Sequence, residues 1–320
     1  MKIGIDVGGT NLAAGVVDSK GDIVHKISTP AEVEKGYQSM LDKLTALSEE
    51  LIAWTKENKP GDPVTEIGAG IPGIISKDGS TVVSAPNIFW KNESLQKDLS
   101  EKTGLPVYLS NDATVAGIAE NVFGSTRGFE DAFMYTLGTG VGGCVIVNGK
   151  TVSGTHGCAS EVGHTLCGPN FYTCNCGKNG CLETYASATG LIKRAQKLIG
   201  DGRESSISAM ADGDLSKINA KMVIDAAKAG DSVGLECFDI LVDKMTDSIA
   251  NVIDILDPGV FTIGGGVANA GDFLLDALRE KMTGKLTYPE LEQPDIRLAS
   301  LGNDAGIIGA AYIGDYASGK

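Results

Sequence analysis

The sequence predicts an α/β protein built from two related lobes, and three observations carry that prediction. The segment KIGIDVGGTNLAAGVVDSKGDIV runs strand, glycine turn, strand, turn, strand. The segment AFMYTLGTGVGGCVIVNGKTV repeats the same design further along the chain. Between and after the two copies, apolar stripes at helical spacing alternate with short apolar strands, and a repeated supersecondary unit implies two lobes rather than one.

The elements follow in order. Ile3 to Asp6 reads as a strand, Gly8-Gly9-Thr10 as a tight turn and Leu12 to Val17 as the returning strand, with a third strand after the turn at Ser19 to Asp22. Leu41, Leu44, Leu47 and Leu51 recur at helical spacing up to Trp54 to Asn58, where KPGDP breaks the helix. TEIGAGIPGII is a strand running into a glycine–proline turn, and PVYLSNDA is a strand whose end delivers Asn111 and Asp112. The second copy reads as Met134 to Leu137, a GTGVGG turn, Cys144 to Val147 and a turn at Asn148-Gly149. Ala186 to Ile199 is helical, and residues 200–220 are polar and mixed, with short helices. Phe238, Leu241, Val242, Met245, Ile249, Val252, Ile253 and Leu256 form a helical stripe stopped by Asp257-Pro258-Gly259. VFTIGGGVANA is a strand, a glycine triplet and a helix start, and DAGIIGAAYIGDYA is a small-residue helix that returns to the first lobe. The lobes are therefore expected at 1–112 with 304–320, and at 113–303.

The composition narrows the class. A chain of 320 residues, 42% hydrophobic and 21% charged, is long enough for two buried cores. A net charge of −14 argues against nucleic acid or an anionic membrane as the main partner. It leaves room for a phosphorylated ligand held by glycine loops and a magnesium ion. No apolar run approaches a membrane span, and MKIGIDVGG reads as a strand rather than a signal peptide, so a cytoplasmic protein is expected. Seven cysteines, four of them between Cys167 and Cys181, suit metal binding better than a disulfide framework.

The richest stretch is EVGHTLCGPNFYTCNCGKNGCLE. His164, Cys174, Cys176 and Cys181 supply the four ligands of a closed tetrahedral zinc site, which orders a loop and leaves no open position for catalysis. Cys158 and Cys167 lie nearby as substitute ligands, whereas His25 and His156 have no such partners and read as surface or packing residues. Glu161 and Glu183 flank the cluster, so a metal that clamps the loop also fixes where they point. Either carboxylate suits paired sugar hydroxyls; an isolated glutamate would ordinarily be solvated surface.

The glycine turns are the second candidate site. Backbone N–H groups of Gly8, Gly9, Gly138 and Gly140 can converge on phosphate oxygens, with Thr10 and Thr139 adding hydroxyls. Asp6 before the first turn suits the magnesium of a nucleotide. One such turn alone merely closes a hairpin; two in paired contexts point to phosphate. Gly264-Gly265-Gly266 after an apolar strand allows close approach of an adenosine, or simply close helix–strand packing. Asp112, at the C-terminal end of a strand, suits a general base, and Asn-Asp-Ala-Thr equally suits a helix N-cap. Asn87, between apolar neighbours in SAPNIFW, suits a sugar hydroxyl or an Asx-turn.

Taken together these residues resemble the ROK family of sugar kinases and sugar-responsive repressors. The likeness runs over essentially the whole chain, through IDVGGT (5–10), GAGIPG (68–73), Pro86-Asn87, NDA (111–113), LGTGVGG (137–143), GCASEVGH (157–164), CNCGKNGCLE (174–183) and IGGGV (263–267). The metal motif with EVGH is specific to the family, while the glycine loops are shared with the wider actin-like ATPases. The resemblance implies a two-lobed, actin-like (ribonuclease H-like) fold with ATP and a hexose in a cleft between the lobes. It implies that Asp112 is the base acting on the sugar 6-hydroxyl. Gly70, Asn87, Asn111, Glu161, His164 and Glu183 would meet the sugar. Asp6, Gly8, Gly9, Thr10, Asn11, Gly138, Thr139, Gly140 and Gly264 to Gly266 would meet ATP. His164 would bind zinc through one ring nitrogen and face the sugar with the other. A homo-oligomer, dimer or tetramer, is also implied. Within the family the likeness is greatest to the glucose-phosphorylating kinases, so ATP-dependent phosphorylation of glucose is expected. Kinases for N-acetylglucosamine, N-acetylmannosamine or fructose are the alternatives. A repressor would carry a helix-turn-helix before the first strand, and that strand starts at residue 3. A zinc hydrolase is disfavoured because the cluster is fully coordinated.

Overall fold

A computed structural model describes residues 1–319. Its first sheet begins with a meander of β1 (Lys2–Val7), β2 (Asn11–Val17) and β3 (Ile23–Pro30), followed by α1 (Gly36–Asn58). β4 (Ile67–Ile71) runs into a small antiparallel sheet of β5 (Ile74–Ile75), β6 (Val82–Ala85) and β7 (Trp90–Glu93). Then come α2 (Leu95–Thr103), β8 (Val107–Asn111) and α3 (Asp112–Val122). The sheet order is β3-β2-β1-β4-β8, with β1, β4 and β8 mutually parallel.

The second half opens with β9 (Ala132–Leu137), β10 (Val141–Val147) and β11 (Lys150–Thr151). A largely irregular loop leads to α4 (Glu183–Ala186), α5 (Ala188–Gly200), α6 (Ser206–Met210), α7 (Ala220–Lys228) and α8 (Ser232–Leu256). β12 (Val260–Gly264), α9 (Asp272–Met282), β13 (Asp295–Leu298), α10 (Ala305–Ala311) and α11 (Ile313–Ser318) complete the chain. The second sheet, β11-β10-β9-β12-β13, repeats the order of the first position by position. The repeat read from the two glycine segments is thus a repeat of sheet topology. By contacts the chain forms two compact units: Met1–Ala132 with Cys144–Ser160 and the residues from Ser300 on, and Phe133–Gly143 with Glu161–Ala299. The sequence boundary at Asp112 falls between β8 and α3, inside the first of these.

Physical chemistry explains the elements. Leu41, Leu44, Leu47 and Leu51 of α1 are all buried in the first core, and full burial of each leucine contributes about 1.5–3 kcal/mol. The small residues of the last segment let α10 lie almost against backbone. A side-chain carbon on Gly68 of β4 would stand 1.7 Å from the Ala310 carbonyl, and one on Gly309 1.7 Å from that of Val115 in α3. Glu120 of α3 has no exposed surface and accepts hydrogen bonds from the backbone N–H groups of Ser125, Ser300 and Leu301 and the hydroxyl of Ser300. A buried carboxylate is stable there because each neighbouring group donates to it.

Three local expectations are corrected. The second glycine turn is only Gly138 to Gly140, because Val141 to Gly143 already belong to β10, matching the three-residue turn of the first copy. The helix expected from Ala186 breaks at Ser187, whose hydroxyl caps α5 by accepting from Gly190 N–H at 2.9 Å. The glycine triplet leads into a single 3-10 turn, Gly266–Ala270, and α9 starts only after Gly271 turns the chain at φ 69°. No helix among the described residues is long and apolar enough to cross a membrane.

Candidate active site

In the first unit the parallel strands bring the candidate groups to one sheet edge. Register pairs Asp6 with Gly70, Gly70 with Ser110 and Ile71 with Asn111, so all lie at the C-terminal ends of β1, β4 and β8, where α/β sheets present ligand groups. Asn111 is the N-cap of α3: its side-chain oxygen accepts from Ala113 N–H at 2.9 Å and Thr114 N–H at 3.2 Å. Its amide nitrogen donates to the Gly73 carbonyl at 3.1 Å. Capping therefore falls to Asn111. Asp112 is the first helical residue, with one carboxylate oxygen 2.8 Å from its neighbour's N–H. That answers the capping reading of Asp112. Gly70 is set by packing, since a side-chain carbon there would stand 2.7 Å from Val115 of α3.

Burial pushes the Asp6 carboxyl above its ordinary value, and Lys26 pulls the other way. A carboxylate so placed favours a cationic partner, which fits an oxygen-seeking magnesium ion. The first glycine turn closes with Gly8 N–H on the Asn11 carbonyl at 3.0 Å. The Asn87 carbonyl lies 3.4 Å from the side-chain direction of Gly9, so the Pro86–Ile88 turn abuts the glycine turn.

In the second unit a loop brings one histidine and three cysteines together. One donor atom from each of His164, Cys174, Cys176 and Cys181 lies within 4.8 Å of all the others. The Cys176–Cys181 sulfurs are 3.5 Å apart, and Cys174 sulfur is 3.7 Å from His164 Nδ1. Zinc bonds of about 2.0–2.3 Å set tetrahedral edges of roughly 3.5–3.8 Å, so the donor set and spacing fit zinc. Burial pushes the Cys174 thiol up to about 12. At Cys176 burial also acts upward but is outweighed by hydrogen bonds from the Lys178 backbone N–H and the Cys181 and Cys174 thiols, and its value falls. Cys158 and Cys167 stand outside the cluster, their thiols turned to the carbonyls of His156 and Thr165. None of the described cysteines forms a disulfide. His25 stacks on Trp54 at 4.4 Å as a packing residue.

His164 uses its ring asymmetrically. Nδ1 faces the sulfurs, while Nε2 stands 3.9 Å from a carboxylate oxygen of Glu161. Glu183 bridges two features that are far apart in sequence. One of its oxygens accepts from Val141 N–H at 3.1 Å, at the end of the second glycine turn, and the other lies 3.5 Å from the Cys174 sulfur. Gly140 makes this possible, because a side-chain carbon there would stand 2.2 Å from the Glu183 carboxylate. The same turn is tied to α5: Ala188 N–H donates to Gly138 at 2.8 Å and the Thr189 hydroxyl to the Thr139 carbonyl at 2.7 Å. Thr189 and Ser187 were not among the sequence candidates; the signal was the cap-forming Ser-Ala-Thr-Gly before an apolar stripe. Gly265 sits at φ 84°, and a side-chain carbon there would stand 2.6 Å from the Leu137 carbonyl, so this packing explains the triplet's middle residue.

Comparison with known proteins gives the chain's family and fold. The ROK family model matches residues 2–315. A glucokinase of Halalkalibacterium halodurans is 36% identical, over 97% of this chain and 94% of its own length. A xylose repressor of Caldicellulosiruptor bescii is 30% identical, over 96% of this chain and 76% of its own length. A crystal structure of a ROK family glucokinase from Streptomyces griseus, in complex with glucose and AMPPNP, superposes with a TM-score of 0.82 at 34% identity, covering 97% of both chains. The chain therefore belongs to the ROK family and has its actin-like sugar-kinase fold.

Proposed function

We propose that this protein transfers the γ-phosphoryl group of ATP to the 6-hydroxyl of glucose. The observation that carries the reading is the full-length similarity to glucokinases, joined to a carboxylate at the strand end with its capping duty taken by Asn111. Asp112 accepts the proton of the attacking hydroxyl as the oxygen bonds to phosphorus, and ADP leaves. Glu161, His164 Nε2 and Glu183 hold sugar hydroxyls, with Asn87 and Asn111. The turns at Gly8-Gly9-Thr10-Asn11 and Gly138-Thr139-Gly140 orient phosphate oxygens through N–H groups, and Gly264 to Gly266 lie beside the nucleoside. Magnesium at Asp6, when bound, offsets phosphate charge; zinc at the four-ligand loop supplies order rather than chemistry. A cytoplasmic location suits an ATP-dependent enzyme with unpaired cysteines.

Steady-state ADP release with glucose, N-acetylglucosamine, N-acetylmannosamine and fructose tests the substrate. Glucose is expected to give the highest kcat/KM; preference for an N-acetyl sugar would keep the mechanism and change the acceptor. Binding of sugar without ADP release would favour the sensing role of the repressor relatives. Gly140→Ala tests the second turn, because its methyl must displace the Glu183 carboxylate from Val141 N–H. Losing a hydrogen bond to a charged acceptor costs about 1.5–3 kcal/mol, so kcat/KM for glucose is expected to fall about tenfold to a hundredfold while circular dichroism stays unchanged. An active variant with wild-type kcat/KM would remove Glu183 from the site.

A further inference from the structure

Phe89 is strained and exposed at once, and neither the proposed reaction nor the fold uses its ring. It closes the four-residue connection between β6 and β7, its N–H donating to the Pro86 carbonyl at 3.3 Å. Its backbone lies in the left-handed region, φ 58° and ψ 27°. Among the described non-glycine residues with positive φ it is the sole aromatic, the others being Glu, Asn, Ser and Asp. Glycine adopts this conformation without steric cost, and a bulky side chain does not.

The side chain buries little surface to offset that strain, for 75% of Phe89 is exposed. Its neighbour Trp90 is the opposite, 2% exposed and packed edge-on to Tyr37 at 5.1 Å. The left-handed turn sends Trp90 inward and leaves Phe89 outside, a job glycine would do at lower cost. Two residues earlier stands Asn87, whose carbonyl abuts Gly9 of the first glycine turn. Strain retained beside functional groups points to a ligand that uses it.

We propose that Phe89 is a specificity-determining residue, its ring packing against the apolar C–H face of the hexose whose hydroxyl Asn87 holds. A hexose offers a polar rim and an apolar face, and an amide beside an aromatic ring matches both. This rests on the reading of Asn87 as a sugar contact, so the test separates the two.

Phe89→Gly, Phe89→Tyr and Asn87→Ala are compared by thermal melting and by KM for glucose and for ATP. Phe89→Gly is expected to raise the apparent melting temperature by about 1–4 °C as strain is released, and to raise glucose KM about fivefold to tenfold. ATP KM is expected to stay within about twofold, and Phe89→Tyr, which keeps the ring, to recover most of the glucose affinity. A higher melting temperature with unchanged glucose KM overturns the proposal, leaving Phe89 a turn residue only. A lower melting temperature overturns its premise of unrelieved strain, and a rise in ATP KM alone assigns the ring to the nucleotide instead. If Asn87→Ala leaves glucose KM unchanged, the Asn87 reading fails whatever Phe89 does.

Discussion

Asp112→Asn is expected to lower kcat by about 10²–10⁴, the range for loss of a general base, with the fold and the KM for ATP retained. The substitution keeps the shape of the side chain and removes its capacity to accept a proton. The structure makes it a clean variant, because α3 is capped by Asn111 through Ala113 and Thr114 N–H. A mutant that merely lost the helix start would unfold α3; this one leaves that start intact. Near-normal turnover in a correctly folded Asp112→Asn protein would mean that another group takes the proton.

Cys176→Ser is expected to lose zinc, thermal stability and glucose affinity together. Structural zinc in small peptides contributes about 10–16 kcal/mol of binding energy, so removing one of four ligands acts on a large term. Cys176 is the exposed member of the cluster, whereas Cys174 and Cys181 are buried, so its replacement disturbs little packing of its own. The effect is expected to reach the proposed sugar-binding residues through their packing on the cluster. His164 turns one nitrogen to the sulfurs and the other toward Glu161, and Glu183 lies between Cys174 and Val141. Metal content by atomic absorption, melting by calorimetry and KM for glucose are the measurements. A zinc-free variant with unchanged glucose KM would break the link between loop and pocket.

Much of this was legible in the sequence, for reasons that differ by residue. The strands and their turns are visible because glycine and apolar runs act locally, and the four candidate metal ligands because they fall within eighteen residues, His164 to Cys181. Asn111 and Asp112 were visible as a pair at a strand end, but which one caps the helix was settled only by geometry. The clamp of Glu120 on Ser300 and Leu301 spans 180 residues and leaves no local pattern. Glu183 stands out in the sequence by its place beside the cysteines, yet its hold on Val141 depends on a long-range contact and on Gly140 yielding room. Phe89 was invisible because an aromatic residue in a strand-rich segment reads as core; only its backbone angle and exposure mark it out.

The most direct test of the proposed reaction is the identity of the product. Purified protein with ATP, magnesium and glucose is coupled to an NADP-linked dehydrogenase that oxidises glucose 6-phosphate and no other glucose phosphate. NADPH is expected to appear one for one with ADP, and neither without glucose. ADP formed without NADPH would contradict transfer to the 6-hydroxyl, and no ADP with any hexose would contradict the kinase reading itself.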